Sequence, residues 1–189
     1  MSTVTRSAGP RARALALALS LAAAGGAAPA LAGPAGHGAA ADIGKPGDAA
    51  SVDRTIEIVM GDNYYEPETV AVAPGETVRF AIRNEGVFVH EFAIGTPMMH
   101  KGHRAEMTMM MEHGVLEPDR INRERMKMDM GGGRTMEHSS PNSVLVEPGD
   151  AAEVIWTFGA AADLEFACNV PGHYESGMVG PVLLRPADS

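Results

Sequence analysis

Residues 68–82 read Glu68-Thr-Val-Ala-Val-Ala-Pro-Gly-Glu-Thr-Val-Arg-Phe-Ala-Ile82. Two β-prone runs, 68–72 and 77–82, flank Ala73-Pro74-Gly75-Glu76, and the Pro-Gly pair marks a turn between them. The same phrase returns downstream: residues 143–146, then Glu147-Pro148-Gly149-Asp150, then residues 152–158. Working outward, residues 55–60, 87–94, 164–167 and 179–184 are further β-prone runs. About eight short strands with turn signals at this spacing predict an all-β fold, a Greek-key antiparallel β-sandwich. Phe80, Phe92, Trp156, Phe158 and Phe166 are its expected core. The predicted domain covers residues 54–186 and is interrupted by an insert at 97–139. Without that insert it has roughly the 100 residues of a single sandwich.

What precedes the domain reads as an address and a tether. Arg6, Arg11 and Arg13 form a cationic start, residues 14–24 (ALALALSLAAA) an apolar run, and Ala30-Leu31-Ala32 a signal-peptidase site. This is the pattern of a Sec-type signal peptide over residues 1–32, too short in its apolar part to span a bilayer. Export to the periplasm follows, with no membrane span once the signal is removed. Residues 33–53 are Gly, Ala, Pro and Asp with little to bury, so a flexible leader is expected there.

Composition excludes several functions. Lys and Arg number 15 against 24 Asp and Glu, a formal net charge of −9. With no cationic face in view, a nucleic-acid partner is excluded. The single cysteine forbids an intramolecular disulfide and any site that needs two thiolates.

That cysteine lies in Phe166-Ala-Cys-Asn-Val-Pro-Gly-His-Tyr-Glu-Ser-Gly-Met178, between two strand patterns. Cys168, His173 and Met178 offer a thiolate, an imidazole and a thioether from one short loop, a soft ligand set. With a second imidazole they make the His₂Cys site with a weak axial Met that holds copper. His90, in Asn84-Glu-Gly-Val-Phe-Val-His-Glu-Phe92, is the candidate for that imidazole, because its strand end can pack beside the loop. Pro171-Gly172 is a turn that brings the His173 ring back toward the Cys168 sulfur.

The segment around Cys168 resembles the type 1 (blue) copper loop of the cupredoxin family. Residues 66–80, Asn84 and His90 look like the family's N-terminal half. The resemblance covers roughly residues 54–97 and 143–186. It implies a Greek-key sandwich with one copper, cycling between Cu(II) and Cu(I), held at one end by His90, Cys168, His173 and Met178. The ligand spacing is similar to that of auracyanin-like cupredoxins rather than plastocyanin. One departure stands out: many members place Asn directly after the first ligand His, and here that residue is Glu91. Enzymatic relatives do not fit. Multicopper oxidases need His-x-His pairs, and the chain has none; dinuclear copper sites need two cysteines; copper nitrite reductases need a second domain.

The insert has its own chemistry. Ten of the 13 methionines lie in it: Met98, Met99, Met107, Met109, Met110, Met111, Met126, Met128, Met130 and Met136. His100, His103, His113 and His138 accompany them. Thr96-Pro97 predicts a helix start and Gly114 its stop, which puts His100, His103, Met107, Met110 and Met111 on one face. Glu117-Pro118 predicts a second helix running to Gly131-Gly-Gly133. Branched aliphatics are few and aromatics absent, so these thioethers and imidazoles are expected to bind additional copper, chiefly Cu(I). A cupredoxin with such a segment resembles the copper-tolerance members of the family. The expected role is copper binding and tolerance by a monomer. A periplasmic electron carrier and a copper chaperone are the alternatives, each requiring a redox or copper-handling partner.

Overall fold

The computed structural model describes residues 41–129, 135–137, 140–160 and 163–185. The signal segment, the start of the leader, Met130 and His138 lie outside them, as do the side chains of Met128 and Met136.

Two five-stranded sheets face each other. The first has the order β1 (Gly44–Pro46), β10 (Ala151–Phe158), β5 (Thr77–Asn84), β2 (Arg54–Gly61), β3 (Tyr64–Glu66). The second runs β4 (Val70–Val72), β12 (Val179–Leu184), β11 (Leu164–Ala167), β6 (His90–Gly95), β9 (Ser143–Val146). The β-sandwich is the predicted one, but both sheets are mixed rather than purely antiparallel. β2 lies parallel to β5, with Ile56 opposite Phe80, and β4 lies parallel to β12, with Val70 opposite Val182. Each turn-linked pair read in the sequence is therefore divided between sheets: β4 and β5, either side of Pro74-Gly75, pair with different partners, as do β9 and β10. That division is what makes two layers from neighbouring strands.

Alternation sets the core. In β5, Val78, Phe80 and Ile82 are buried while Arg83 is exposed, as a period of two requires. Phe80 meets Phe92 at 5.0 Å between ring centroids, Phe92 stacks on Phe166 at 5.6 Å, and Tyr65 meets Phe166 edge-on at 5.1 Å. All five aromatic residues expected in the core are buried.

β6 breaks the alternation, since every residue from His90 to Gly95 is buried. One face supplies Phe92 and Ile94 to the core. The other is covered by α1 (Pro97–Glu112), which begins and ends where the sequence predicts. Thr96 Oγ1 caps it by accepting from Met99 N–H at 3.3 Å, Pro97 opens the first turn, and Gly114 adopts φ +64° after the last. His100, Met107 and Met110 are its buried residues. Met111, on that face by its spacing, stays partly exposed near the end of the helix. Gly95 lets the helix lie close: a Cβ there would come within 3.1 Å of His100 Nε2.

Two expectations are corrected. No second helix forms within residues 117–129. Val115, Leu116 and Ile121 are buried instead, with Leu116 bridged to Ile121, and Pro118 C=O accepts from Val89 N–H at 2.7 Å. Docking these apolar side chains into the sandwich wins over a helical path. β7 (Lys127–Asp129) then pairs antiparallel with β8 (Thr135–Glu137), Met128 opposite Met136. The leader is also not flexible throughout, because β1 pairs with β10, Lys45 opposite Thr157. Trp156 Nε1–H donates to Ile43 C=O at 2.8 Å, and Gly44, at φ +109°, leaves no room for a side chain beside Thr157 C=O. Main-chain pairing holds this strand, so its sparse apolar content gave no sign of it.

Candidate metal centre

Residues 168–178 link β11 to β12. His173 N–H donates to Val170 C=O and Met178 N–H to His173 C=O, both at 3.0 Å, while Cys168 N–H closes the loop on Met178 C=O at 3.1 Å. Gly172 and Gly177, at φ +88° and +101°, take the left-handed conformations these turns require. The result folds the His173 ring back over Cys168, with Sγ 3.4 Å from Nδ1.

The third donor arrives from the other half of the chain. His90 stands at the start of β6, and its Nδ1 lies 3.2 Å from His173 Nδ1. One donor atom each from His90, Cys168 and His173 falls within 4.8 Å of the others. Met178 is fully buried at the end of the same loop. The loop before His90 is pinned by buried Asn84, whose Nδ2 donates to Phe88 C=O at 2.8 Å and Val146 C=O at 2.9 Å. On its far side His90 Nε2–H donates to Asp62 Oδ1 at 3.1 Å. That bond assigns the proton of the neutral ring to Nε2 and leaves the Nδ1 lone pair facing the cluster.

Electrostatics make this a site that needs a cation. Burial pulls both imidazoles below their ordinary pKa, and His90 lowers His173 further, so both are neutral bases at pH 7. Burial pushes the Cys168 thiol up to about 12, despite a 3.3 Å N–H···S bond from Glu91. A thiolate there is favourable only beside a positive charge, and a bound metal deprotonates a coordinating thiol outright. Two imidazole nitrogens and one sulfur of this kind, with a buried thioether at the end of the same loop, fit copper.

One residue on from each donor, the chain turns to the opposite face. Glu91 and Asn169 follow His90 and Cys168 and meet on the helix side. Glu91 Oε2 accepts from Asn169 Nδ2 at 2.8 Å and from Asn169 N–H at 3.3 Å. Glu91 Oε1 lies 2.8 Å from His103 Nε2, and His103 Nδ1 lies 3.0 Å from Glu106 Oε2. Chiefly through Glu91, the His103 pKa is raised to about 9. At pH 7 His103 is therefore protonated, with both N–H groups engaged by carboxylates. His100 Nδ1 meets the Asn169 side chain at 3.1–3.2 Å.

The profile of the plastocyanin/azurin family of copper-binding proteins matches residues 52–185. The chain belongs to this family. This cupredoxin is 48% identical over 165 residues to the copper-resistant cuproprotein CopI of Pseudomonas aeruginosa, covering 84% of this chain and 90% of that one. It is 40% identical to CopI of Rubrivivax gelatinosus, over 82% and 81% of the two chains. Among solved structures, auracyanin B superposes with a TM-score of 0.55 at 16% identity, over 78% of this chain and all of that one. Dithionite-reduced auracyanin of Roseiflexus castenholzii gives 0.50 at 20% identity, over 71% and 99%. These two likenesses bear on the fold, which is the cupredoxin sandwich, and copper is its cofactor.

The cupredoxin site explains the Glu91 departure. Glu91 bridges the segments that carry His90 and Cys168, with the acceptor on the His90 side and the Asn169 amide as donor on the Cys168 side. Asp62, Asn169 and the anchoring role of Asn84 were missed from sequence. Asp62 lies in a turn marked only by Asn63, and no spacing links it to His90, 28 residues on. Of the insert's other candidates, Met98, Met99, Met109 and Met111 are exposed, Met107 and Met110 are in the core, and Met126 packs against it. His113 Nδ1–H donates to Met109 C=O at 2.7 Å.

Proposed function

We propose that the protein is exported to the periplasm and acts there in copper tolerance as a binding protein, not an enzyme. His90 Nδ1, His173 Nδ1 and Cys168 Sγ would hold one copper ion, with Met178 supplying a further, weaker sulfur. The convergence of those three donors from both halves of the chain carries the reading. The CopI relatives, named copper-resistant, supply the physiological direction. Bound copper at such a site alternates between Cu(II) and Cu(I), with an intense thiolate charge-transfer absorption in the oxidised state. The polypeptide keeps Cys168 and Met178 from water and fixes the His90 ring through Asp62.

Additional Cu(I) is assigned to thioethers of the insert. A cleft of about 430 Å³ beside α1 is lined by Met107, Met109, Met110 and Met126, with Glu91 and His103 at its wall. Met98, Met99 and Met111 project outside it. Thioethers carry no proton to lose and favour the soft monovalent ion. Replacing Met98, Met99, Met109, Met111 and Met126 together by Leu tests this. Wild-type protein is expected to take up more than one Cu(I), and the variant only one, with its visible absorption after Cu(II) addition intact. Equal stoichiometry would remove the assignment of extra Cu(I) to these five thioethers. For the tolerance role, a strain lacking the protein should grow poorly on copper-supplemented medium and not be rescued by Cys168→Ala.

One observation favours electron transfer as a second reading. Phe88 lies beside the His173 ring, 6.3 Å between centroids, and Val87 next to it is 64% exposed. An apolar collar around a ligand imidazole suits brief docking of a redox partner, and reduction by such a partner at a rate sensitive to Val87→Asp would support it.

A further inference from the structure

α1 touches the copper-site segments at three points. His100 meets Asn169, the residue after Cys168; His103 meets Glu91, the residue after His90; and Arg104 stacks over Tyr174, the residue after His173, at 4.2 Å from the ring centroid. Arg104 also pairs with Glu175 at 3.2 Å. Each contact falls one residue beyond a donor: at His90 a one-residue step along β6 passes from the core side to the helix side, and Asn169 and Tyr174 reach α1 from the loop after β11. The insert is therefore fastened to the backbone that sets the spacing of the donors.

Glu91 is the junction. It is 1% exposed, and its backbone N–H reaches Cys168 Sγ while its C=O accepts from Tyr65 O–H at 2.5 Å. Its carboxylate divides between Asn169 on Oε2 and His103 on Oε1. Among the described residues, His103 is the basic side chain paired with this buried acid. Without it, Oε1 is a buried acceptor with no partner, and Glu91 must rotate or admit water. Either movement disturbs the Asn169 bridge and the N–H···S bond together.

We propose that His103 is a positioning residue of the copper centre, acting through Glu91 to hold the His90 and Cys168 segments in register, so that α1 frames the site as well as supplying methionines. This rests on the assignment of His90, Cys168 and His173 as copper ligands.

The test uses the full-length protein loaded with Cu(II). His103→Leu is expected to shift the charge-transfer band and to lose copper to a competing chelator at about 10-fold lower chelator concentration, the low end of the range for outer partners of metal ligands. His103→Gln, which returns an N–H to Oε1, is expected to restore the band and the retention. Val72→Ala, a buried change on β4, which is separated from β6 by β12 and β11, should lower thermal stability and leave the band in place, separating general loosening from positioning. Should His103→Leu not fold, His103→Asn, too short to reach Oε1, carries the same expectation. A folded, loaded Leu or Asn variant with the wild-type band and retention would overturn the proposal. Cys168→Ala separates the two readings: if it bleaches the band while His103 variants are silent, only the positioning role fails; if it keeps the band, the ligand assignment fails.

Discussion

Cys168 and the two neutral imidazoles determine how the centre behaves as copper enters. With the thiol pushed up to about 12 and both rings held neutral by burial, the protein gives up a proton from one ligand only. Copper uptake at pH 7 is expected to release about one proton per ion bound at this site. Calorimetry in buffers of different ionisation enthalpy measures the number, and Cys168→Ala should bring it close to zero. Asp62 acts on the same site from outside. Asp62→Ala frees the His90 ring to change tautomer, and copper affinity is expected to fall 10- to 100-fold; an unchanged affinity would show that packing alone orients the ring. The proposed ligands could be picked out in sequence because Cys168, His173 and Met178 share one loop with a Pro-Gly turn, and His90 sits at a strand end. Asp62 and Asn169 were not, since a hydrogen bond across folded segments leaves no period or spacing to read.

At the scale of the element, α1 was readable at both ends and opaque on its inner face. Thr96, Pro97 and Gly114 are local signals, whereas the imidazoles of His100 and His103 look alike in sequence whether they bind metal, fill a core or pair with an acid. The second helix failed for the complementary reason: Glu117-Pro118 is a good start, but Ile121, the branched aliphatic beyond it, is buried against the sandwich and bridged to Leu116 instead of riding on a solvated helix. His103 gives α1 a pH-dependent hold. Its folded pKa of about 9 lies above the ordinary imidazole value, so its contribution is complete below about pH 6.5. The contribution declines as pH rises and is lost above about 9. The melting temperature is expected to fall over that interval, more in wild type than in His103→Leu; parallel profiles would show that the His103–Glu91 pair contributes nothing.

Across the whole molecule, the insert is built into the sandwich rather than hung from it. It buries the outer face of β6, places Met107, Met110, Val115, Leu116 and Ile121 in the common core, and pairs His103 with Glu91, the acid beside His90. Excising residues 97–139 should therefore destabilise the protein rather than merely lower its copper capacity. The two-layer architecture was legible from the repeated strand-turn-strand phrase; the parallel pairs were not, because pairing partners are chosen by packing between distant segments. Everything functional depends on copper binding where both halves of the chain meet. Anomalous diffraction at the copper edge, on crystals of protein loaded with one equivalent, addresses this most directly. The expected result is a single peak bounded by His90 Nδ1, His173 Nδ1 and Cys168 Sγ; a peak among the insert methionines, with none at that cluster, would contradict it.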